Sequence, residues 1–369
     1  MERNITELPL HFGSAPKYLF ERQKKILFEI GRLIIMEFGT EEFLKRLSDP
    51  YYFQVLGCIS GFDWHSSGVT TTVCHALKNV FNNNPEYGIF IFGGKGKNGL
   101  LTPEEIRNNR FIDRKDEIIF ISKLTSKIDN NCIQDGYQLY HHNIFVDKKG
   151  NWAVIQQGMN LKNNYARRYH WFNKITSSED KKLVIEPHSG IISVKKESYV
   201  LNLIDKRSKE VQNNLVDFLK SESPDSLIKE FEVIFKKSSS IFDRGKKLIL
   251  PSHHHVEYNF DTKRLYRNFC KLKEKDIKSF PDIVLTENIG IKTLRALCLI
   301  SEVIYGNSVS FNDPAKFSFA FGGKDGHPYP LDRKNYDITI NYLKNIIDKA
   351  KIEGKEKLEI LKKLQHLYK

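Results

Sequence analysis

The chain has 369 residues, a formal net charge of +13 and a sequence pI near 9.2. Hydrophobic residues make up 40% of it, enough for a substantial core, but no run of about 18 apolar residues occurs, so we expect no membrane span. The start, MERNITELPLHF, lacks a basic segment followed by an apolar block, which predicts no signal peptide and a cytoplasmic location. The five cysteines have no CxxC spacing, which favours free thiols in a reducing compartment.

The positive charge points to a polyanionic partner. Lys and Arg are spread along the whole chain rather than gathered in a tail, as expected for a surface that follows a phosphate backbone. We therefore predict a nucleic-acid partner, DNA in the first instance. The alternative is that an AT-rich coding sequence supplies Lys and Asn wherever the fold tolerates them.

The first part of the chain mixes helical and strand patterns. An amphipathic helix is predicted in KYLFERQKKILFEIGRLIIMEF, and a second helix after the loop GFDWHSSG. The segment YFQVLGCISGF suits either a buried helix or a buried strand. YGIFIFGG and DEIIFISKL are predicted as strands, and TPEEI as a helix start capped by Thr102. Residues 1–175 are predicted to form a mixed α/β domain.

Helical patterns dominate after residue 176. We predict a helical connector over residues 176–262 and a helical domain over residues 263–369, which ends in an amphipathic helix pair with Lys/Glu spacing. The expected fold class is α+β, with a mixed α/β N-terminal domain followed by a mainly helical C-terminal half.

One stretch, residues 134–160, concentrates polar groups on two predicted strands. Its sequence is QDGYQLYHHNIFVDKKGNWAVIQQGMN. Strand alternation places His141 and His142 on opposite faces, so one of them faces a site. A histidine near amides and a carboxylate can act as base or nucleophile on a phosphodiester. The predicted catalytic set is His141, His142, Asp135, Gln157 and Asn160; the alternative is a hydrogen-bonded structural pair.

Basic and acidic residues flank this stretch. Lys127, Arg167 and Arg168 are candidates for phosphate contacts. Asp135 together with Asp129 could bind a hard cation such as Mg²⁺, because carboxylate oxygens are its preferred protein ligands. Surface ion pairs are the alternative for each of these residues.

Two loops are candidates for further phosphate contacts. GFDWHSSG offers His65, Ser66 and Ser67 just before a helix start, where free N–H groups bind anions. GGKGK offers Lys95 and Lys97 on a glycine-rich loop after a strand, without the spacing of an NTPase loop. Ordinary loop and helix-capping roles are the alternative.

The spacing within residues 134–160 resembles the HxKxxxxD…GSxN motif of the phospholipase D-like nuclease superfamily. His141 stands for the histidine, and Gly158, Met159 and Asn160 resemble the end of the motif. Asn143 stands where that family has lysine, and no second copy of the motif is evident. The resemblance implies a phosphodiesterase-type site.

Near the C-terminus, LTENIGIKTLRAL resembles the helix-hairpin-helix signature. That resemblance implies that a DNA phosphate binds at Gly290, Lys292 and Thr293 through backbone amides, without sequence readout. Asn288 replaces the first hairpin glycine, and Asn tolerates the left-handed conformation. In helix-hairpin-helix DNA glycosylases a catalytic lysine stands at the position of Lys292 and an aspartate near Asp313, which implies Schiff-base chemistry as an alternative.

Blocks along nearly the whole chain resemble the archaeal and bacterial family known as domain of unknown function 763. They include LPLHFGSAPKYLFER, GFDWHSSGVTTT, SKIDNNCIQDGYQLYHH, WAVIQQGMN and FAFGGKDGHPYPLDR. The family carries over no activity. The leading hypothesis is thus a DNA phosphodiesterase or nuclease used in repair; the alternatives are a DNA glycosylase and a non-catalytic nucleic-acid-binding module.

Overall fold

A computed structural model describes residues 8–10, 17–62, 67–174, 183–239, 260–315, 333–352 and 354–368. The predicted α+β class is confirmed: antiparallel strands lie in the N-terminal half, and helices make up most of the C-terminal half. The predicted strand YGIFIFGG and the strands of residues 134–160 are present.

The central sheet has five antiparallel strands in the order β1-β3-β4-β5-β6. Its strands are β1 (Ile89–Lys95), β3 (Gln138–Asp147), β4 (Asn151–Asn160), β5 (Tyr165–Lys174) and β6 (His188–Ile192). A two-stranded ladder pairs β2 (Ile133–Gln134) with β7 (Leu201–Asn202).

In chain order, the described helices form one group that comes before β2 and one that comes after β7. The first group is α1 (Lys17–Ser48), α2 (Pro50–Ile59), α3 (Gly68–Asn82), α4 (Lys97–Leu100), α5 (Thr102–Asn108) and α6 (Lys115–Lys127). The second group is α7 (Lys209–Ser221), α8 (Pro224–Ser239), α9 (Thr262–Glu274), α10 (Phe280–Leu285), α11 (Ile291–Tyr305), α12 (Arg333–Lys349) and α13 (Gly354–Tyr368).

Both faces of the sheet are covered by helices, because alternate residues of each strand are apolar on both sides. On β3, Ile144 and Val146 pack with α6 and the helices that follow the sheet, while Phe145 packs with α1 to α3. The C-terminal helices α12 and α13 pack with α1 to α3 through apolar side chains that include Leu343 and Ile360. The sheet is therefore the middle of three layers.

One hydrophobic cluster runs through all three predicted domains. It contains Phe90 of β1, Phe218 of α7 and Leu297 of α11, all at most 1% exposed. The proposed boundaries near residues 175 and 262 pass through this continuous core. The three-part division stays a prediction.

Two local predictions were wrong. DEIIFISKL lies in α6 and not in a strand; Ile118, Ile121 and Thr125 recur at helical spacing and are buried against the sheet, and Asp116 lies in the first turn. Thr102 does not cap α5. It is the first residue of the helix, and its hydroxyl donates to the Gly99 carbonyl.

A π-helical turn, Ile128–Cys132, follows α6 directly and leads into β2. Such wide turns are rare and occur often at functional sites. This one carries Asp129, whose side chain bonds His188, and Asn131, whose side chain bonds the Ile289 carbonyl.

Candidate functional site

His142 is a buried, hydrogen-bonded residue on the α6 side of the sheet. Its Nε2 lies 2.8 Å from the Ser122 hydroxyl, and its Nδ1 lies 2.9 Å from Oε1 of Gln156. Burial lowers the pKa of His142 to about 4, although the bond to Gln156 opposes the change. The imidazole is neutral at pH 7 and enclosed.

His141 lies on the opposite face, so the predicted split of the two histidines is confirmed. It is 2% exposed, and among the described residues neither ring nitrogen has a hydrogen-bond partner. Burial, followed by the electrostatic effect of nearby His142, Lys95 and His75, lowers the pKa of His141 to about 3. An enclosed neutral imidazole without a hydrogen-bond partner in the described part of the chain is poorly placed to activate water.

The other predicted catalytic residues do not meet in one cleft. Gln157 faces α3, where it bonds the Ser67 carbonyl and the Thr70 hydroxyl. Asn160 lies at the β4–β5 turn and accepts from the Lys162 N–H. Asp135 belongs to a separate ion-pair network around β5.

In that network Arg167 is held between two carboxylates. Its guanidinium donates to Asp135 at 2.9 Å and to Asp313 at 2.9 and 2.7 Å. Its Cζ also lies 4.6 Å from the centroid of the Tyr137 ring. Asp135 also accepts from the Tyr169 hydroxyl at 2.7 Å. Burial raises the pKa of Asp135 to about 6, against the opposing effect of Arg167. Arg167 is 0% exposed and does not reach a surface-bound phosphate.

Arg168 points to the other face and is also 0% exposed. It donates to Gln54, Thr70 and His170, all uncharged groups. Burial lowers the pKa of Arg168 to about 9. The two arginines predicted as phosphate contacts are therefore internal anchors of β5.

The predicted cation site is not assembled in the structure. Asp129 and Asp135 are occupied by different protein donors: Gln156, Trp171 and His188 around Asp129, and the Arg167 network around Asp135. Across the described part of the chain, no three His, Cys, Asp or Glu side chains come together as ligands for a metal.

The predicted phosphate loops have mixed outcomes. His65 and Ser66 lie outside the described residues, and Ser67 is buried at the N-cap position of α3. Lys95 and Lys97 are exposed at the end of β1 and the start of α4, while Lys127 is half-buried at the end of α6. Phosphate binding by these lysines stays a prediction.

Gly93 explains part of the glycine-rich sequence in structural terms. It has φ +95° and pairs with Asn143 of β3; a Cβ there would lie 2.2 Å from the carbonyl oxygen of His142. Close strand packing therefore requires glycine at this position.

A cavity of about 420 Å³ lies beyond β6 and is called the first cavity here. Its wall combines His188 with residues from the segments that follow β6, β7 and α11. Nε2 of His188 lies 2.6 Å from Asp129, and its ring centroid lies 4.2 Å from that of Trp171. His188 was not among the predicted site residues, and its only sequence signal is the short context EPHSGI.

Two residues of the polar stretch 134–160, His142 and Gln156, support His188 indirectly through Asp129. Asp129 is 0% exposed and accepts from both Trp171 and Gln156, and Gln156 in turn bonds His142. His142 and Gln156 are thus linked to the cavity through Asp129. They hold its carboxylate in place and do not line the cavity themselves.

A second cavity, of about 260 Å³, opens at the N-terminus of α11. The predicted residues Gly290, Lys292 and Thr293 line it together with Arg264. Asn288 has φ +66°, the left-handed conformation that the sequence predicted for it.

The turn before α11 is tied to the rest of the molecule by amide side chains. Asn268 donates to the Asn288 carbonyl and to the Thr293 hydroxyl, at 3.3 and 2.8 Å. Gln134 donates to the Ile291 carbonyl and Asn131 to the Ile289 carbonyl, at 3.1 and 3.4 Å. The start of the stretch 134–160 therefore contacts the predicted hairpin directly.

Comparison with known families places most of the chain in one family model. The family described as protein of unknown function (DUF763) matches residues 4–331. The chain belongs to the DUF763 family. No curated protein and no solved structure matches it. The predicted family is confirmed, and the match brings no activity with it.

The DUF763 stretches that carry this resemblance include residues 126–142, which hold the end of α6, the π-helical turn and the start of β3. Those residues reach both cavities, through Asp129 and Asn131. Within the described residues, none of the helices is both long and apolar enough to span a bilayer.

The two residues of the glycosylase alternative line different cavities of this DUF763 protein. Lys292 lines the second cavity, and Asp313 lines the first. Asp313 is 8% exposed and is paired with Arg167. The structure does not bring this lysine and this aspartate into one site.

Proposed function

We propose that this DUF763 protein binds nucleic acid through its sugar-phosphate backbone at the second cavity. The observation that carries the proposal is the opening of the α11 N-terminus into a cavity that two basic side chains line, Arg264 and Lys292. A helix N-terminus holds partial positive charge and unsatisfied N–H groups, which suit a phosphate.

Local chemistry supports a phosphate at this position. Gly290 is the N-cap residue and has no side chain that could occupy the end of the helix. The acidic residue in the cavity wall, Asp261, caps α9 by accepting from the Arg264 N–H at 3.1 Å. The basic side chains Arg264 and Lys292 outnumber this one carboxylate, so the net side-chain charge of the wall is positive.

Backbone contact is also consistent with the charge of the whole chain. A net charge of +13 favours association with a polyanion by counterion release, and such binding needs no base readout. The chemical predictions have less support: His141 and His142 are buried, and Lys292 and Asp313 lie apart. The proposal therefore concerns binding.

The test is binding of fluorescent single- and double-stranded DNA and RNA oligonucleotides to the full chain, followed by anisotropy. For at least one of these, we expect affinity to fall steeply between about 50 mM and about 200 mM salt. The double variant Arg264→Ala/Lys292→Ala should bind about tenfold more weakly, with a salt slope reduced by about 2.

A matched control removes the same charge elsewhere. Lys229 and Lys362 are exposed on α8 and α13, so the variant Lys229→Ala/Lys362→Ala changes net charge equally. It should keep its affinity to within about twofold. Equal losses in the two double variants would show that only net charge matters and would reject the site at α11.

A further inference from the structure

We propose that the first cavity binds a single uncharged nucleobase, presented as a nucleoside or as an unstacked base of a bound strand, with His188 as its hydrogen-bonding partner. The inference rests on the proposed nucleic-acid binding at the second cavity. It assigns a ligand class to a different site of the molecule.

The size and walls of the first cavity fit such a ligand. Its volume of about 420 Å³ lies within the usual range of about 300–1,000 Å³ for small-molecule sites. Phe311 and His188 contribute rings to the wall, and bases stack on aromatic faces. Asn312, oriented with its side-chain oxygen toward the Arg207 guanidinium, leaves its amide nitrogen as a donor.

The charge of the wall disfavours a phosphate. The ionisable residues that line it, apart from His188, are Glu186, Glu197, Asp205, Asp313, Lys196 and Arg207. Asp313 shares Arg167 with Asp135, so that network has one more acid than base. Carboxylates outnumber basic groups, and an uncharged ring is accepted where a phosphate is repelled.

His188 is positioned to accept a hydrogen bond. Its Nε2 faces the Asp129 carboxylate at 2.6 Å, which accepts the Nε2–H and leaves Nδ1 with its lone pair. No described residue bonds Nδ1. Asp129 itself accepts hydrogen bonds from Trp171 and Gln156. Its carboxylate is therefore fixed in position and sets both the tautomer and the ring orientation of His188. The favoured ligand therefore presents an N–H to His188.

One short segment of the chain connects the two cavities. Asp129, which bonds His188, and Asn131, which lines the second cavity, belong to the same π-helical turn. Their Cα atoms are at most about 7 Å apart. A nucleic-acid strand bound at the N-terminus of α11 thus has its neighbouring nucleotides close to the first cavity. There a base can leave the stack and enter the pocket.

The experiment titrates the full-length protein with adenosine, guanosine, cytidine and uridine, and with their 5′-monophosphates, followed by ligand-observed NMR and calorimetry. At least one nucleoside should bind saturably, and its monophosphate about tenfold more weakly. Glu186→Lys, at the exposed rim, should narrow that difference.

Two variants test the location. His188→Gln should weaken nucleoside binding about tenfold, because the ring and the lone pair at Nδ1 are lost. Ser198→Trp, at an exposed position on the rim, should block binding without touching the core. Lys229→Ala is the control and should leave nucleoside binding unchanged.

The outcomes separate the two proposals. If oligonucleotides bind but no nucleoside does, or if monophosphates bind more tightly than nucleosides, the base pocket is rejected and backbone binding stands. Nucleoside binding that persists in both His188→Gln and Ser198→Trp also rejects it. Nucleoside binding without any oligonucleotide binding would reject the proposed function alone.

Discussion

At the residue scale, Arg167 and Arg168 show how neighbours in sequence acquire different roles. Both are 0% exposed on β5, and they point to opposite faces of the sheet. Arg167 meets two carboxylates, which raise its pKa, whereas Arg168 meets uncharged acceptors and has its pKa lowered by burial. The motif ARRYHW looks like a phosphate clamp in sequence because burial is not visible there.

His141 and His142 provide a residue-scale prediction about stability and pH. Replacing His141 by Leu should leave the free energy of unfolding at pH 7 unchanged or raise it by about 1–3 kcal/mol, because a buried group without partners is removed. His142→Leu should lower it by about 1–3 kcal/mol, since Ser122 and Gln156 lose a buried partner. Urea unfolding measures both.

The pH dependence of His141 follows from its lowered pKa. The unfolded histidine titrates near about 6.5 and the folded one at about 3, so its contribution to stability is complete above about 6.5 and is lost as pH falls toward 3. His141→Leu should therefore lose less stability in acid than the native chain. Asp135, whose raised pKa acts in the opposite direction, is common to both proteins. A steeper acid loss in the variant would contradict the assignment.

At the element scale, α6 and the turn after it decide the site. The apolar run in DEIIFISKL predicts a strand when taken alone, but it continues into a π-helical turn that directs Asp129 to His188 and Asn131 to Ile289. Short apolar runs cannot be assigned by periodicity alone. Tertiary packing against the sheet made this one a helix.

The turn before α11 provides an element-scale prediction. Asn288 has φ +66°, a conformation that costs a β-branched residue about 1–2 kcal/mol. Asn288→Val should therefore lower the free energy of unfolding by about that amount and weaken oligonucleotide binding, whereas Asn288→Gly should be close to neutral. Thermal unfolding and anisotropy measure the two effects; equal behaviour of the valine and glycine variants would count against this backbone requirement.

At the scale of the whole molecule, the sheet depends on both halves of the chain. Trp152 and Trp171 on one face belong to a cluster that also contains Phe218 and Leu297. On the other face Phe145 shares a cluster with Leu343 of α12. The surroundings of the N-terminal strands are thus completed by residues distant in sequence.

This continuity predicts that residues 1–175 do not fold alone. Without α7 to α11, Trp152 and Trp171 would lose their apolar cover, so the fragment should bind a hydrophobic dye and unfold without a cooperative transition. The full chain is the control and should unfold cooperatively. A cooperative transition in the fragment, by circular dichroism in urea, would instead support the predicted domain boundary.

The sequence by itself determined the α+β class, the family, the opposite orientation of His141 and His142, and the left-handed Asn288, because these depend on local patterns and on strand periodicity. Only the tertiary structure decided which polar groups are buried. It placed His142, Gln157 and the two arginines, all predicted as site residues, in the core, and it placed His188 beside a cavity. Burial and pairing arise between segments far apart in the chain, so no local pattern encodes them.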